Sequence, residues 1–111
     1  MSTQEALLQE LSSLFGDRVR WNSLEKLLYS HDLGTIPGPV KKTIKSTPEA
    51  IVQPVSVEEV QALVKLAAAE KVPLVPRGSA SAGYGGAVPA AGGIVVDFTR
   101  MNQVLAIDPE A

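Results

Sequence analysis

The sequence predicts an α/β chain: a helical lead-in over residues 1–45, then a small βαβ parallel sheet over residues 46–111. Three observations predict this. Apolar residues recur at helical spacing near the N-terminus, two short apolar runs flank a second amphipathic stretch, and a third such run follows a glycine-rich segment. Strand, helix and strand in this order form a βαβ unit, whose two strands run parallel with a right-handed crossover.

In the lead-in, Ser2 and Glu5 have capping-box spacing, and Leu7, Leu8, Leu11, Leu14 and Phe15 follow at helical intervals. Gly16 supplies the stop. A second short helix is expected over residues 24–29, started by Asn22 or Ser23. Pro37, Pro39 and Pro48, with Gly34 and Gly38, predict an extended connection over residues 30–48.

The pattern changes at Glu49. Residues 50–53 read as a short buried strand closed by Pro54, and Ser56 with Glu59 repeats the capping signal. Val60, Leu63, Val64 and Ala67 mark one face of a helix running to about Lys71 and ended by Pro73. Residues 74–76 form the second strand. Residues 94–98, apolar except at Asp97, form a third that is covered on both faces. Residues 103–107 begin a fourth. The chain stops without a closing element, which predicts a part of something longer, because an unpartnered strand would leave an exposed edge.

Composition narrows the function. With 45% apolar and 20% charged residues, the 111-residue chain suits one soluble domain. A net charge of −2 gives no field that gathers nucleic acid or an anionic membrane. Lys41, Lys42 and Lys45 read as solvated surface. The absence of cysteine excludes disulfides, iron–sulfur ligation and thiolate zinc sites within these residues, and fits a reducing compartment. No secretory leader and no run long enough to span a bilayer is present, so a cytoplasmic placement is expected, with any membrane association made through partners.

The chemistry is expected in residues 77–89, Arg-Gly-Ser-Ala-Ser-Ala-Gly-Tyr-Gly-Gly-Ala-Val-Pro. Six of the nine glycines lie between positions 78 and 93, so this is where backbone is free to approach a ligand. Alternating αR and αL residues would aim successive N–H groups into one concavity that binds anions. The segment also leaves the carboxyl end of a parallel strand, where open α/β sheets bind ligands. Gly78 and Gly83 have P-loop spacing, but Tyr84 and Gly85 replace the lysine and hydroxyl residue, which disfavours nucleotide hydrolysis. No GxGxxG opens a helix, which disfavours a dinucleotide Rossmann site. A plain surface loop is the blander reading.

The ordered series of residues 54–60, 75–78, 85–89 and 94–102 resembles the FAD-linked oxidases of the vanillyl-alcohol oxidase or PCMH type. Within that group it is similar to the glycolate oxidase and D-lactate dehydrogenase flavin subunits. The resemblance covers residues 46–111 and, less strongly, Tyr29, Ser30 and Asp32. It implies the first lobe of a PCMH-type FAD-binding domain, α+β when complete, in an FAD-dependent oxidoreductase of small 2-hydroxy acids. The loop would wrap the FAD pyrophosphate with Gly78, Ser79, Ala80, Ser81 and Ala82. Gly85 and Gly86 would allow close approach nearer the flavin, and Pro76 and Arg77 would set the turn. Ala80 and Ala82 stand where glycolate-oxidase-like members carry glycine. A left-handed alanine costs roughly 1–2 kcal/mol, so φ is expected to be negative at both, or binding is weakened. Ser81 matches the histidine that binds FAD covalently in some members, so attachment is expected to be noncovalent.

The resemblance places any catalytic base or metal-binding histidine in later domains, so no catalytic or metal-binding residue is expected in this chain. The partners it implies are a second FAD lobe, a substrate domain and an electron acceptor: an iron–sulfur subunit, electron-transfer flavoprotein or quinone. His31 reads as a surface or hydrogen-bonded histidine, Trp21 as a core or interdomain anchor, and Asp97 as a satisfied structural carboxylate. Tyr84 either stacks on the cofactor or covers the loop. Two other functions compete: a noncatalytic phosphate-binding or protein-interaction module of the same fold, and a scaffold that offers residues 7–15 to a partner groove.

Overall fold

A computed structural model describes residues 3–31, 38–44, 46–81 and 86–110. Helix α1 (Thr3–Phe15) buries Leu7, Leu11 and Phe15, spaced by four, and turns Leu14 outward. The buried side chains join the protein's own core, so the face is not free for a partner's groove. Ser2, the expected cap, lies outside the described residues. Gly16 takes φ +59, a left-handed value that ends the helix. A single 3-10 turn (Gly16–Arg18) then leads into strand β1 (Val19–Arg20). Two residues are too few to show any periodicity, so sequence patterning gave no sign of β1.

Asn22 caps α2 (Ser23–Leu28), its side chain accepting from the Glu25 N–H at 2.9 Å. A single helical turn, α3 (Gly38–Lys41), interrupts the stretch expected to be extended. The Gly-Pro pair that argued against regular structure here stands at its start, where proline lacks no intrahelical bond.

Strand β2 (Ala50–Val52), α4 (Val57–Glu70), β3 (Leu74–Arg77) and β4 (Ile94–Asp97) follow as expected in kind and order. The Ser56 hydroxyl caps α4 by accepting from the Glu59 N–H at 3.2 Å. Its buried face is Leu63, Leu66 and Ala67, whereas Val64 is 49% exposed, contrary to the predicted stripe. The helix ends one turn before Pro73 through Lys71, which takes φ 56 and donates its N–H to the Ala67 and Ala68 carbonyls.

The sheet order is β1-β2-β4-β3. Strands β2 and β3 are parallel, as the βαβ pattern requires, but β4 lies between them and is parallel to both. The sheet is mixed, because β1 runs antiparallel to β2. The apolar run of β4 explains its central place: Ile94, Val95 and Val96 are buried, together with Asp97. Ala50, Val52, Ile94 and Val96 share one face and pack with Leu7, Leu11, Phe15, Leu63 and Leu66 into one core, while Ile51 and Val95 are buried on the other face. Entry to β4 demands Gly93, which takes φ +83 and whose absent side chain leaves room for the Pro73 backbone. Residues 103–107 pair with no strand among the described residues, and Leu105 is 93% exposed. Among the described residues, no helix is long and apolar enough to cross a membrane.

Candidate cofactor site

The parallel strands end together, and their register brings Arg77 beside Asp97. Asp97 is 3% exposed, and its charge is matched by donors from three directions. The Tyr29 hydroxyl donates to Oδ2 at 2.5 Å and Gln53 Nε2 to the same oxygen at 2.9 Å, while the Thr99 N–H donates to Oδ1 at 3.0 Å. Burial opposes ionisation of Asp97, but these hydrogen bonds outweigh it and hold the carboxyl below its ordinary range. The opposite holds for Tyr29: burial and the bond to Asp97 push the phenol up to about 12. Asp97 is thus the satisfied carboxylate that its apolar strand suggested.

The network extends outward from that carboxylate. Arg100 Nε donates to Gln53 Oε1 at 2.9 Å. Arg77 lies over the Tyr29 ring, 4.7 Å from its centroid, and donates from Nη1 to the His31 carbonyl at 2.9 Å. His31 is exposed and Trp21 is 42% exposed, so the tryptophan is no core anchor. Sequence reasoning missed the joining of Tyr29 to Arg77 and Asp97. The phenol and carboxylate are 68 positions apart, and no local periodicity records such a contact.

From this floor the glycine-rich loop departs at Pro76 and Arg77. Among the described residues, no backbone carbonyl accepts from the N–H groups of Gly78, Ser79, Ala80 or Ser81. The Ser79 and Ser81 hydroxyls lie 3.2 Å apart, and Ala80 between them takes φ 56. Of the two outcomes expected at Ala80, the negative φ is not met: the residue follows the bend at Gly78 and Ser79 in a left-handed conformation, which alanine occupies with strain. Glycines 78 and 86 have negative or extended φ, and a β-carbon on either would meet nothing within 4 Å. Among the described residues, no atom demands glycine at these two positions, unlike Gly93, and the open space beside them is where a ligand could approach. The far end of the loop is anchored by buried Val88 and Pro89. Ala82, Gly83, Tyr84 and Gly85 lie outside the described residues.

Residues 48–111 match the family described as FAD binding domain. The chain belongs to that family. It is 39% identical over 82 residues to a D-lactate dehydrogenase of Anaerostipes hadrus, covering 74% of this chain and 16% of the relative. It is 35% identical over 85 residues to glycolate oxidase subunit GlcD of Bacillus subtilis (strain 168), covering 77% of this chain and 17% of that one. The chain thus spans about one sixth of the length of these relatives. Among solved structures it is similar to p-cresol methylhydroxylase with substrate bound, with TM-score 0.78 and 29% identity over 99% of this chain and 21% of that one. The donor set suits the FAD diphosphate: backbone N–H groups and two serine hydroxyls bind anionic oxygens without introducing a titrating group.

Proposed function

We propose that this FAD binding domain belongs to a flavin-dependent oxidoreductase of small 2-hydroxy acids, of the glycolate or D-lactate type. The observation that carries the proposal is the run of N–H donors from Gly78 to Ser81 at the carboxyl end of β3, within a chain whose relatives include a D-lactate dehydrogenase and a glycolate oxidase subunit. Gly78, Ser79, Ala80, Ser81 and Ala82 hold the diphosphate, Gly85 and Gly86 admit the cofactor toward its flavin end, and Pro76 and Arg77 set the turn. Each amide bond to a phosphate oxygen contributes on the order of 1.5–3 kcal/mol. Bound FAD supplies the two-electron oxidant for a CH–OH group. Attachment is noncovalent, because Ser81 stands at the position matching the histidine that carries covalent attachment in some members of the family it resembles. In this reading residues 1–45 form the lead-in and residues 46–111 the first lobe. A second FAD lobe, a substrate domain and an electron acceptor, either an iron–sulfur subunit or an electron-transfer flavoprotein, complete the reaction in the cytoplasm or beside the inner membrane.

The test is the visible spectrum of the purified protein carrying this chain together with its second lobe, before and after adding glycolate or D-lactate without an acceptor. The expected result is a flavin spectrum that bleaches on addition of one of them. A folded protein without flavin absorbance contradicts the cofactor site, and a flavin spectrum unmoved by any small 2-hydroxy acid contradicts the substrate class.

A further inference from the structure

We propose that Tyr29 is a positioning residue for the cofactor loop: fixed by Asp97, its ring supports the Arg77 guanidinium at the loop's root, making the helical lead-in part of the flavin site. The inference rests on reading residues 77–89 as the diphosphate loop. It begins with α2, none of whose residues is buried. That helix is tied to the rest of the protein by the Arg20–Glu25 ion pair at 3.0 Å and, at its C-terminal end, by Tyr29. The end is itself well fixed, since the Tyr29 N–H donates to the Glu25 carbonyl at 3.1 Å and the Ser30 hydroxyl to the Leu27 carbonyl at 2.6 Å.

Tyr29 divides its two faces of chemistry. The hydroxyl goes to Asp97 on β4, and the ring lies under Arg77 at the end of β3. A guanidinium is planar and weakly hydrated, so an aromatic face fixes its orientation as well as its place. The His31 carbonyl fixes the same guanidinium from one side. Asp97 cannot drift, because Gln53 and the Thr99 N–H hold both its oxygens, and Arg100 holds Gln53. The residue after Arg77 is Gly78, the first residue of the loop whose N–H meets no backbone carbonyl among the described residues. A shift in Tyr29 therefore moves the start of the anion-binding backbone, where an error near 1 Å breaks charge-assisted hydrogen bonds.

A merely structural role, holding α2 in place, predicts lost stability without a selective effect on flavin. The experiment compares the FAD dissociation constant and visible spectrum of the full protein with Tyr29→Phe, Arg77→Lys and, as control, Leu11→Ala in the core under α1. All are measured where each variant is folded by circular dichroism. Tyr29→Phe keeps the ring and loses the anchor to Asp97, and it should weaken FAD binding about tenfold with a shifted flavin spectrum. Arg77→Lys keeps the charge, loses the planar stack, and should weaken binding similarly even if Tyr29→Phe does not fold. Leu11→Ala should lower the melting temperature more and leave the affinity of the folded protein unchanged. Wild-type affinity in Tyr29→Phe, or in Arg77→Lys should the former not fold, overturns the proposal, as does an equal loss in Leu11→Ala. Failure of the unsubstituted protein to bind FAD removes the diphosphate reading as well, a result distinct from either.

Discussion

Ala80 is the residue at which local preference and local shape disagree. Its φ of 56 lies in the left-handed region, where alanine is disfavoured by roughly 1–2 kcal/mol. Replacing it by glycine removes that strain, at an entropic cost of about 0.5–1 kcal/mol in the unfolded chain. Ala80→Gly should therefore raise the unfolding free energy by about 0.5–1 kcal/mol, read from urea denaturation. An unchanged or lowered value contradicts the left-handed assignment. The resemblance marked this position as one where glycine is expected, but not how alanine would be accommodated there. A backbone angle is set by the path the chain must follow, here the bend at Gly78 and Ser79 that leaves β3, and composition carries no record of that.

The elements of the second half were legible because each carries its own signals. Ser56 and Glu59 start α4, and the apolar runs on either side are the strands it connects. The face of α4 was read imperfectly: Val64 suits a helical stripe by hydropathy, but the sheet beneath selects Leu63, Leu66 and Ala67. Leu63→Ala should cost about 2–5 kcal/mol and Val64→Ala under about 1 kcal/mol, compared by thermal or urea unfolding. Equal costs contradict the packing. At the start of α4, Arg18 joins the lead-in to Glu59 by two hydrogen bonds of 2.5 Å. These bonds from Arg18, with smaller help from the Val55 N–H and against the effect of burial, draw the Glu59 carboxyl down from 4.5 to about 2. A depressed folded-state value stabilises above the unfolded value and fades as the pH falls through the folded one. Stability should thus decline between pH 4.5 and about 2. In Glu59→Gln that part of the decline should vanish from urea midpoints taken across the same range, while an undiminished slope assigns the decline to other groups.

At the scale of the whole molecule, the strand order is what assembles the site, and it was the least legible feature. Parallel β2 and β3 could be anticipated from the intervening helix, whereas the insertion of β4 between them depends on long-range pairing. That insertion sets Asp97 beside Arg77 and lets Tyr29 and Gln53 converge from the lead-in and from β2. The glycine-rich loop, by contrast, was visible at once, because glycine density is a local property. Gly78 is the sharpest probe of what the loop is for, since a β-carbon there meets no atom of the described residues within 4 Å. The decisive measurement is calorimetric titration of the flavin-free, full protein with FAD for Gly78→Val and the unsubstituted chain, with melting temperatures alongside. The expected result is a loss of at least about 30-fold in affinity, equivalent to about one charge-assisted hydrogen bond, with the melting temperature of the flavin-free protein nearly unchanged. Equal affinity for FAD in the two proteins would place the diphosphate elsewhere.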